Sequence, residues 1–220
     1  PLTDIEQTLA QENQRLAFEP VVMNDVLGKT GASTIGGVFA SNASGSRRIQ
    51  AGAARDFLLG VRCVDGAGTI IKNGGRVMKN VTGYDLVKLL AGSWGQLAAL
   101  TEVSFKVLPI SETEATLSVA VANPVAAVAV MTRAMSTPYD VTGVSYDPAQ
   151  GVALVRIEGF ETSVSYRSAE LRQVLATFGN VNILSDIASR DMWQVLRRLG
   201  ALVGQSGALW RVSVKPTDGP

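Results

Sequence analysis

The sequence has no histidine and only one cysteine, Cys63. Without imidazole the chain holds no Ser-His-Asp or Cys-His nucleophilic machinery, and one thiol excludes a disulfide framework and a cysteine-cluster metal site. We therefore predict no metal site in this chain. Cys63 alternates with Val61 along a predicted strand, which indicates a packed thiol rather than a nucleophile.

An excess of one charge is also lacking, because 20 basic residues stand against 19 acidic ones. This balance argues against a nucleic acid or an acidic membrane surface as a partner. The longest nearly apolar stretch, 124–131, is less than half of the roughly 20 residues that a bilayer span needs, and no signal peptide opens the chain. We expect no direct membrane insertion and a cytoplasmic location, with any inner-membrane association made through partner subunits.

Glycine, in contrast, is abundant, with 22 residues. The first half predicts an α+β unit with antiparallel pairing: a helix over 4–16, a glycine-rich stretch, a hairpin over 57–72, a short helix over 84–90, and a strand over 97–108. The second half predicts the order β-α-β-β-α-β of a ferredoxin-like unit, followed by a helix and a final strand over 209–214. The composition changes at Pro109, so we place the domain boundary there, between 1–109 and 110–220.

Five glycines crowd into the eighteen positions from Gly28 to Gly45. Glycines at positive φ can turn several main-chain N–H groups toward one object, and Asn42 and Ser44 add side-chain donors. Such a nest suits a diphosphate. The alternative is a turn packed tightly against a neighbouring strand, and the spacing alone leaves both interpretations open.

Two other phosphate-binding motifs are excluded by residue type. Gly28-Lys29-Thr30 ends like a Walker A loop, but Met23 stands where its first glycine belongs. Gly66 and Gly68 begin a dinucleotide fingerprint, but Ile71 replaces the third glycine and a predicted strand follows instead of a helix.

Three segments in order carry a resemblance to a known family: TIGGVFASNASG at 34–45, RDFLLGVRCVDGAGTIIKNGG at 55–75, and KNVTGYDLVKLLAGSWGQLAALTEVSFKVLP at 79–109. They resemble the second half of the FAD-binding domain of the vanillyl-alcohol oxidase, or PCMH-type, superfamily, and within it the FAD-binding subunits of bacterial glycolate oxidases. The resemblance implies an α+β fold, with this half-domain followed by a ferredoxin-like cap domain.

The resemblance also implies which residues meet FAD. Along the diphosphate and the ribityl chain it places Gly31, Ser33, Thr34, Ile35, Gly36, Gly37, Asn42, Ser44 and Gly45. From the end of the domain it brings the turn of Gly95, Gln96 and Leu97, and Leu100. Ala98 stands where the family usually has glycine, which predicts a small displacement of the main chain there.

The family carries a phosphate-loop subdomain before this region and a histidine-bearing tail after it. Because the chain starts at Pro1 and lacks both, we expect a piece of a larger protein that binds FAD weakly and is inactive by itself. For the whole protein the resemblance implies oxidation of a small 2-hydroxy acid to a 2-oxo acid, with hydride transfer to FAD. Arg211 is the expected catalytic residue, as the ligand of the substrate carboxylate, with Arg197 and Arg198 as second candidates.

The resemblance further implies a multisubunit complex with a related flavin subunit and an iron-sulfur subunit. Two alternatives stay open. In the first alternative, the chain is a scaffold subunit that supports a catalytic partner without doing chemistry. In the second, it is a flavin oxidase of the same superfamily that acts on another alcohol, such as a sugar or an aryl alcohol.

Overall fold

The computed structural model describes residues 1–79 and 83–220. The chain divides into two compact units, Pro1–Ile110 and Ser111–Pro220. Each unit has its own hydrophobic core.

The first unit contains short helices and strands joined by long connections. Its elements are α1 (Leu2–Gln11), β1 (Gln14–Arg15), α2 (Ile35–Ser41), α3 (Arg48–Ala51), α4 (Ala54–Phe57), β2 (Leu58–Asp65), β3 (Ile70–Gly74), α5 (Leu86–Leu90), β4 (Ala98–Phe105) and β5 (Leu108–Pro109). Strands β3, β2 and β4 form an antiparallel sheet in that order, and β1 pairs with β5.

The predicted hairpin is confirmed. Its turn is fixed by Asp65, whose Oδ1 accepts hydrogen bonds from the main-chain N–H groups of Ala67 at 2.9 Å and Thr69 at 2.8 Å. Gly68 takes the positive φ that this turn requires. Cys63 points into the core as predicted, and burial, followed by the nearby Asp65 carboxylate, raises the pKa of its thiol.

Phenylalanines build the centre of the first core. Phe18 packs against Phe39 and Phe57 with ring centroids 5.6 and 5.4 Å apart, and Phe39 also meets Phe105 at 5.4 Å. Because Phe39 lies on α2, this cluster fixes one face of α2 to the sheet. The opposite face is left to small residues.

The second unit is more regular. Its elements are β6 (Thr113–Ala120), α6 (Pro124–Met135), β7 (Gly143–Asp147), β8 (Val152–Gly159), α7 (Glu161–Leu175), β9 (Val181–Ser185) and α8 (Asp186–Arg197), with 3-10 turns at Gly200–Leu202 and Pro216–Asp218. The antiparallel sheet has the order β7-β8-β6-β9, so the ferredoxin-like topology is confirmed. Helix α6 begins as predicted, with Asn123 accepting the N–H of Ala126 and Pro124 at the first helical position.

The two faces of this sheet differ in chemistry. Leu117 and Val155 belong to an apolar core that α6 and α7 complete. On the other face, Trp193 of α8 donates its indole N–H to Thr116 Oγ1 at 2.7 Å, and its ring lies 4.1 Å from the guanidinium of the fully buried Arg156. Thr116, Arg156 and Trp193 therefore form a buried polar cluster on regular elements.

Two predictions near the termini are wrong. The helix predicted over 4–16 spans Leu2–Gln11, and β1 follows it. In the described range 83–220, residues 209–214 form no strand and are exposed, with Trp210 81% accessible. A strand needs a partner for its main-chain ladder, and within the described residues this segment has none.

No described helix combines the length and the apolar character that a membrane crossing requires.

Candidate cofactor site

The glycine-rich segment forms a helix rather than the predicted nest. Thr34 has extended main-chain geometry, and its Oγ1 accepts the N–H of Gly37 at 3.1 Å, so Thr34 is the N-cap of α2. Ile35, Val38 and Phe39 then follow at the spacing that puts apolar side chains on one helical face. This apolar periodicity outweighs the low helix propensity of two glycines.

Of the five glycines from Gly28 to Gly45, Gly28 alone takes a positive φ, of 59°. Gly31, Gly36, Gly37 and Gly45 all lie outside the left-handed region, and Asn42 occupies it instead, with φ 51° at the end of α2. The amides that face outward here are therefore those of a helix N-terminus and not those of a nest.

The first turn of α2 leaves main-chain donors available. Because Val38 is the first residue to bond an earlier main-chain carbonyl, that of Thr34, and Gly37 is capped, the amides of Ile35 and Gly36 donate to no group in the described part of the chain. A helix N-terminus with such donors carries partial positive charge and favours anions.

The glycines at this end leave room. A Cβ built on Gly31 meets nothing within 4 Å, and one built on Gly36 meets only the Leu100 main-chain oxygen at 3.9 Å. Glycine in a helix costs about 0.5–1 kcal/mol of stability relative to alanine. Because a Cβ would fit at position 36, no packing contact of the described residues requires glycine there. The space and the free amides fit the diphosphate that the resemblance implies.

The second predicted stretch lies against α2. Leu100 of β4 faces Gly36, while the amides of Gly92 and Trp94 donate to the carbonyl oxygens of Phe39 at 3.0 Å and Ala40 at 2.8 Å. The structure therefore brings the turn that leads to Gly95 to the end of α2. Gly95 has φ 74° with open space around it, and Leu97 is half-exposed.

Gly31 and Ser33 are held by a residue that the sequence did not single out. Asn24 donates its side-chain amide to the Gly31 carbonyl and accepts the Ser33 hydroxyl at 2.5 Å. The Ser33 carbonyl accepts the N–H of Leu2 at 2.7 Å. Asn24 lies seven and nine residues from its partners, and no local motif indicates such a link.

Three of the predicted cofactor residues have partners inside the chain. Asn42 Oδ1 accepts the N–H of Arg55 at 2.9 Å, and the buried Ser44 Oγ accepts that of Ala54 at 2.9 Å. A Cβ on Gly45 would lie 2.3 Å from the Glu19 carbonyl oxygen, so this glycine is required by close packing. Their contact with FAD stays a prediction.

Ala98 is buried in the first core, where β4 begins and pairs with Asp65. The small displacement of the main chain expected at Ala98 stays a prediction.

Arg211 lies in the exposed segment that forms no strand, so the described structure does not fix its side chain in a site. Arg197 is the last residue of α8 and Arg198 is its C-cap. Within the described residues, no group of three Asp, Glu or Cys side chains lies close enough together to hold a metal ion.

Comparisons with known proteins point to FAD-binding relatives. Residues 1–74 match the model of an FAD binding domain. The chain is 34% identical over 221 residues, all of its length, to glycolate oxidase subunit GlcE of Escherichia coli, and it spans 57% of that relative. It is 44% identical over 85 residues to glycolate oxidase subunit GlcD of Bacillus subtilis, which is 39% of this chain and 18% of that one.

A solved structure of alkyldihydroxyacetonephosphate synthase matches 89% of this chain and 40% of its own, with a TM-score of 0.64 at 18% identity. This likeness shows the α+β fold. The matching domain model and the similarity of the whole chain to a glycolate oxidase subunit support its assignment to the PCMH-type FAD-binding superfamily, with FAD as the cofactor.

Proposed function

We propose that the chain is the FAD-binding subunit of an enzyme that oxidises a small 2-hydroxy acid to the 2-oxo acid. The observation that carries the cofactor part is the start of α2, where, among the described residues, the amides of Ile35 and Gly36 have no acceptor and no group packs closely against Gly36. The substrate class is supported by the names of the relatives, since glycolate is itself a 2-hydroxy acid.

In this proposal the chain holds FAD through main-chain groups. The Ile35 and Gly36 amides donate to the diphosphate oxygens, and the missing side chain at Gly36 lets those oxygens approach. Thr34 keeps its oxygen on Gly37 and so keeps the first turn in shape. When bound, FAD supplies the acceptor for the two electrons that leave an alcohol on its oxidation.

We assign the substrate carboxylate to Arg211, because a guanidinium can hold both carboxylate oxygens at once. The chain has no histidine, so the group that removes the hydroxyl proton is a different side chain or belongs to another segment or subunit. The subunit names of the relatives support work in a complex, in which we place a related flavin subunit and an iron-sulfur subunit.

The direct test is a titration of the protein, as its gene encodes it, with FAD, followed by flavin absorbance and fluorescence. We expect a yellow protein whose flavin absorbance is bleached by glycolate or lactate, and not by aryl alcohols or sugars. A colourless protein that cannot be reconstituted contradicts the cofactor assignment, and bleaching by the other alcohols alone contradicts the substrate class.

A scaffold role is the second candidate, and it is favoured by the exposed, irregular segment that carries Arg211. Arg211→Met and Arg211→Lys in the assembled enzyme separate the two. If Arg211 holds the carboxylate, both variants raise KM for the hydroxy acid, and lysine, which keeps the charge without the fork, raises it less. Unchanged KM and turnover in both variants support the scaffold role.

A further inference from the structure

Asn42 and Ser44 hold the start of a helix that lies further along the chain. Asn42 Oδ1 accepts the N–H of Arg55, and Ser44 Oγ accepts that of Ala54, each at 2.9 Å. Ala54 and Arg55 form the first turn of α4, where amides have no carbonyl partner within the helix. The two side chains therefore cap α4 from a segment 10 and 13 residues earlier.

Asn42 also ends α2. Its φ of 51° and ψ of 40° are left-handed, and its N–H donates to the Phe39 carbonyl oxygen at 3.1 Å. A residue in this conformation stops a helix, and asparagine tolerates it better than most residues. Ser44 Oγ reinforces the bend by donating to the Asn42 carbonyl oxygen at 3.2 Å. One side chain thus links the end of α2 to the beginning of α4.

The far end of α4 is held as well. Lys88 of α5 donates its ammonium group to the carbonyl oxygens of Arg55 and Leu58, each at 2.7 Å. A cation at this end donates hydrogen bonds to the last carbonyl oxygens of a short helix, which have no partner within the helix. Because α4 is held at both ends, Asn42 attaches α2 to a rigid element.

We propose that Asn42 is a positioning residue of the FAD site, which acts through Arg55 and holds α2 so that its first-turn amides meet the diphosphate. This inference rests on the proposed function. It differs from the direct contact that the sequence predicted, because it uses the Oδ1 acceptor of Asn42 and not the Nδ2 donor.

Aspartate at position 42 distinguishes the two roles. Asn42→Asp keeps the acceptor for Arg55, favours the N-terminus of α4 and tolerates the left-handed conformation. It also removes the donor and adds a negative charge, which a direct contact with a diphosphate would not tolerate. Asn42→Ala loses both the acceptor and the tolerance for positive φ.

We measure the FAD dissociation constant and the urea midpoint of the protein as its gene encodes it. We expect Asn42→Asp to stay within about twofold of the wild type in FAD affinity with an unchanged midpoint, and Asn42→Ala to lose about tenfold in affinity with a lower midpoint. A loss of affinity in Asn42→Asp as large as that in Asn42→Ala, at an unchanged midpoint, overturns the inference in favour of direct contact.

Ser41→Ala is the matched control, because the Ser41 hydroxyl bonds only carbonyl oxygens of α2 itself, those of Gly37 at 2.7 Å and Val38 at 3.4 Å. We expect wild-type affinity from it. Failure of the wild type to bind FAD overturns the proposed function and the FAD part of this inference together. Equal losses of stability in Asn42→Asp and Asn42→Ala overturn the link to Arg55 alone.

Discussion

Buried polar side chains of the second unit and helix-capping side chains of the first unit have different roles. In Ser111–Pro220 the buried side chains of Thr116 and Arg156 stand on long strands whose other face builds an apolar core. In Pro1–Ile110 the polar side chains hold main-chain groups of short helices, as Thr34 and Asn42 do. The comparison teaches that the helices of the candidate site are held in place by individual capping side chains, whereas the buried Thr116 and Arg156 of the second unit are held in place by the sheet.

The largest expected loss of stability comes from a substitution at Gly45, where two main-chain segments of the first unit lie in close contact. Gly45→Ala would put a Cβ 2.3 Å from the Glu19 carbonyl oxygen, where main chain meets main chain and neither can move aside. We expect a loss of more than about 3 kcal/mol in unfolding free energy. Amide hydrogen exchange, read separately for each unit, measures it.

Gly66→Ala is the control for that substitution, because a Cβ at Gly66 meets nothing within 4 Å and its φ is not left-handed. We expect it to keep wild-type protection. If Gly45→Ala were as stable as Gly66→Ala, the packing of Gly45 against Glu19 described here would be wrong.

The second unit is best tested through its apolar core. Leu117 is fully buried in the middle of β6, and Leu117→Ala removes a side chain that α6 and α7 cover. We expect a loss of about 3 kcal/mol, seen as faster exchange throughout Ser111–Pro220. Exchange that speeds up only next to Leu117 would contradict a single cooperative core.

A smaller effect follows from the loss of one cap. Thr34→Val keeps the shape of the side chain but removes the oxygen that accepts the Gly37 N–H, and we expect a loss of about 1 kcal/mol. Thr34→Ser keeps the oxygen and serves as the control. Equal urea midpoints for the two variants would show that the cap does not support α2.

The smallest effect is a dependence on pH. Burial lowers the pKa of Lys88 from its ordinary 10.5, although Asp85 and then Asp56 oppose the shift. Between the lowered value and 10.5 the unfolded chain binds more protons than the folded one, so Lys88 adds stability as the pH rises through that window.

Lys88→Arg provides the reference for this test, because arginine does not titrate there. We expect the stability of the wild type, relative to Lys88→Arg, to increase as the pH approaches 10.5. A difference that is flat or falls with pH would contradict the burial of the ammonium group.

The second unit follows from its sequence because its signals are local and repeated. Asn123 and Pro124 open α6, alternating apolar residues mark β6 and a continuous apolar run marks β8, so the order of elements could be predicted. The strand predicted over 209–214 shows the limit of such patterns, since alternation does not supply a pairing partner.

The candidate site was harder to predict. The glycines at 36 and 37 indicated a loop, but the capping oxygen of Thr34 and the apolar spacing up to Phe39 produced a helix. The links from Asn24 to Ser33 and from Asn42 to Arg55 join residues nine and thirteen positions apart, which no local pattern records. The sequence could indicate which segments form the site, but not which side chains hold it together.

The central claim is that Gly36 is glycine because FAD lies against it, and Gly36→Ala tests this with two measurements that should move in opposite directions. A Cβ there fits the chain, with Leu100 O at 3.9 Å, so we expect unchanged or slightly higher stability of the cofactor-free protein. We also expect an FAD affinity at least about tenfold weaker. Wild-type FAD affinity in a stable Gly36→Ala protein would contradict the account.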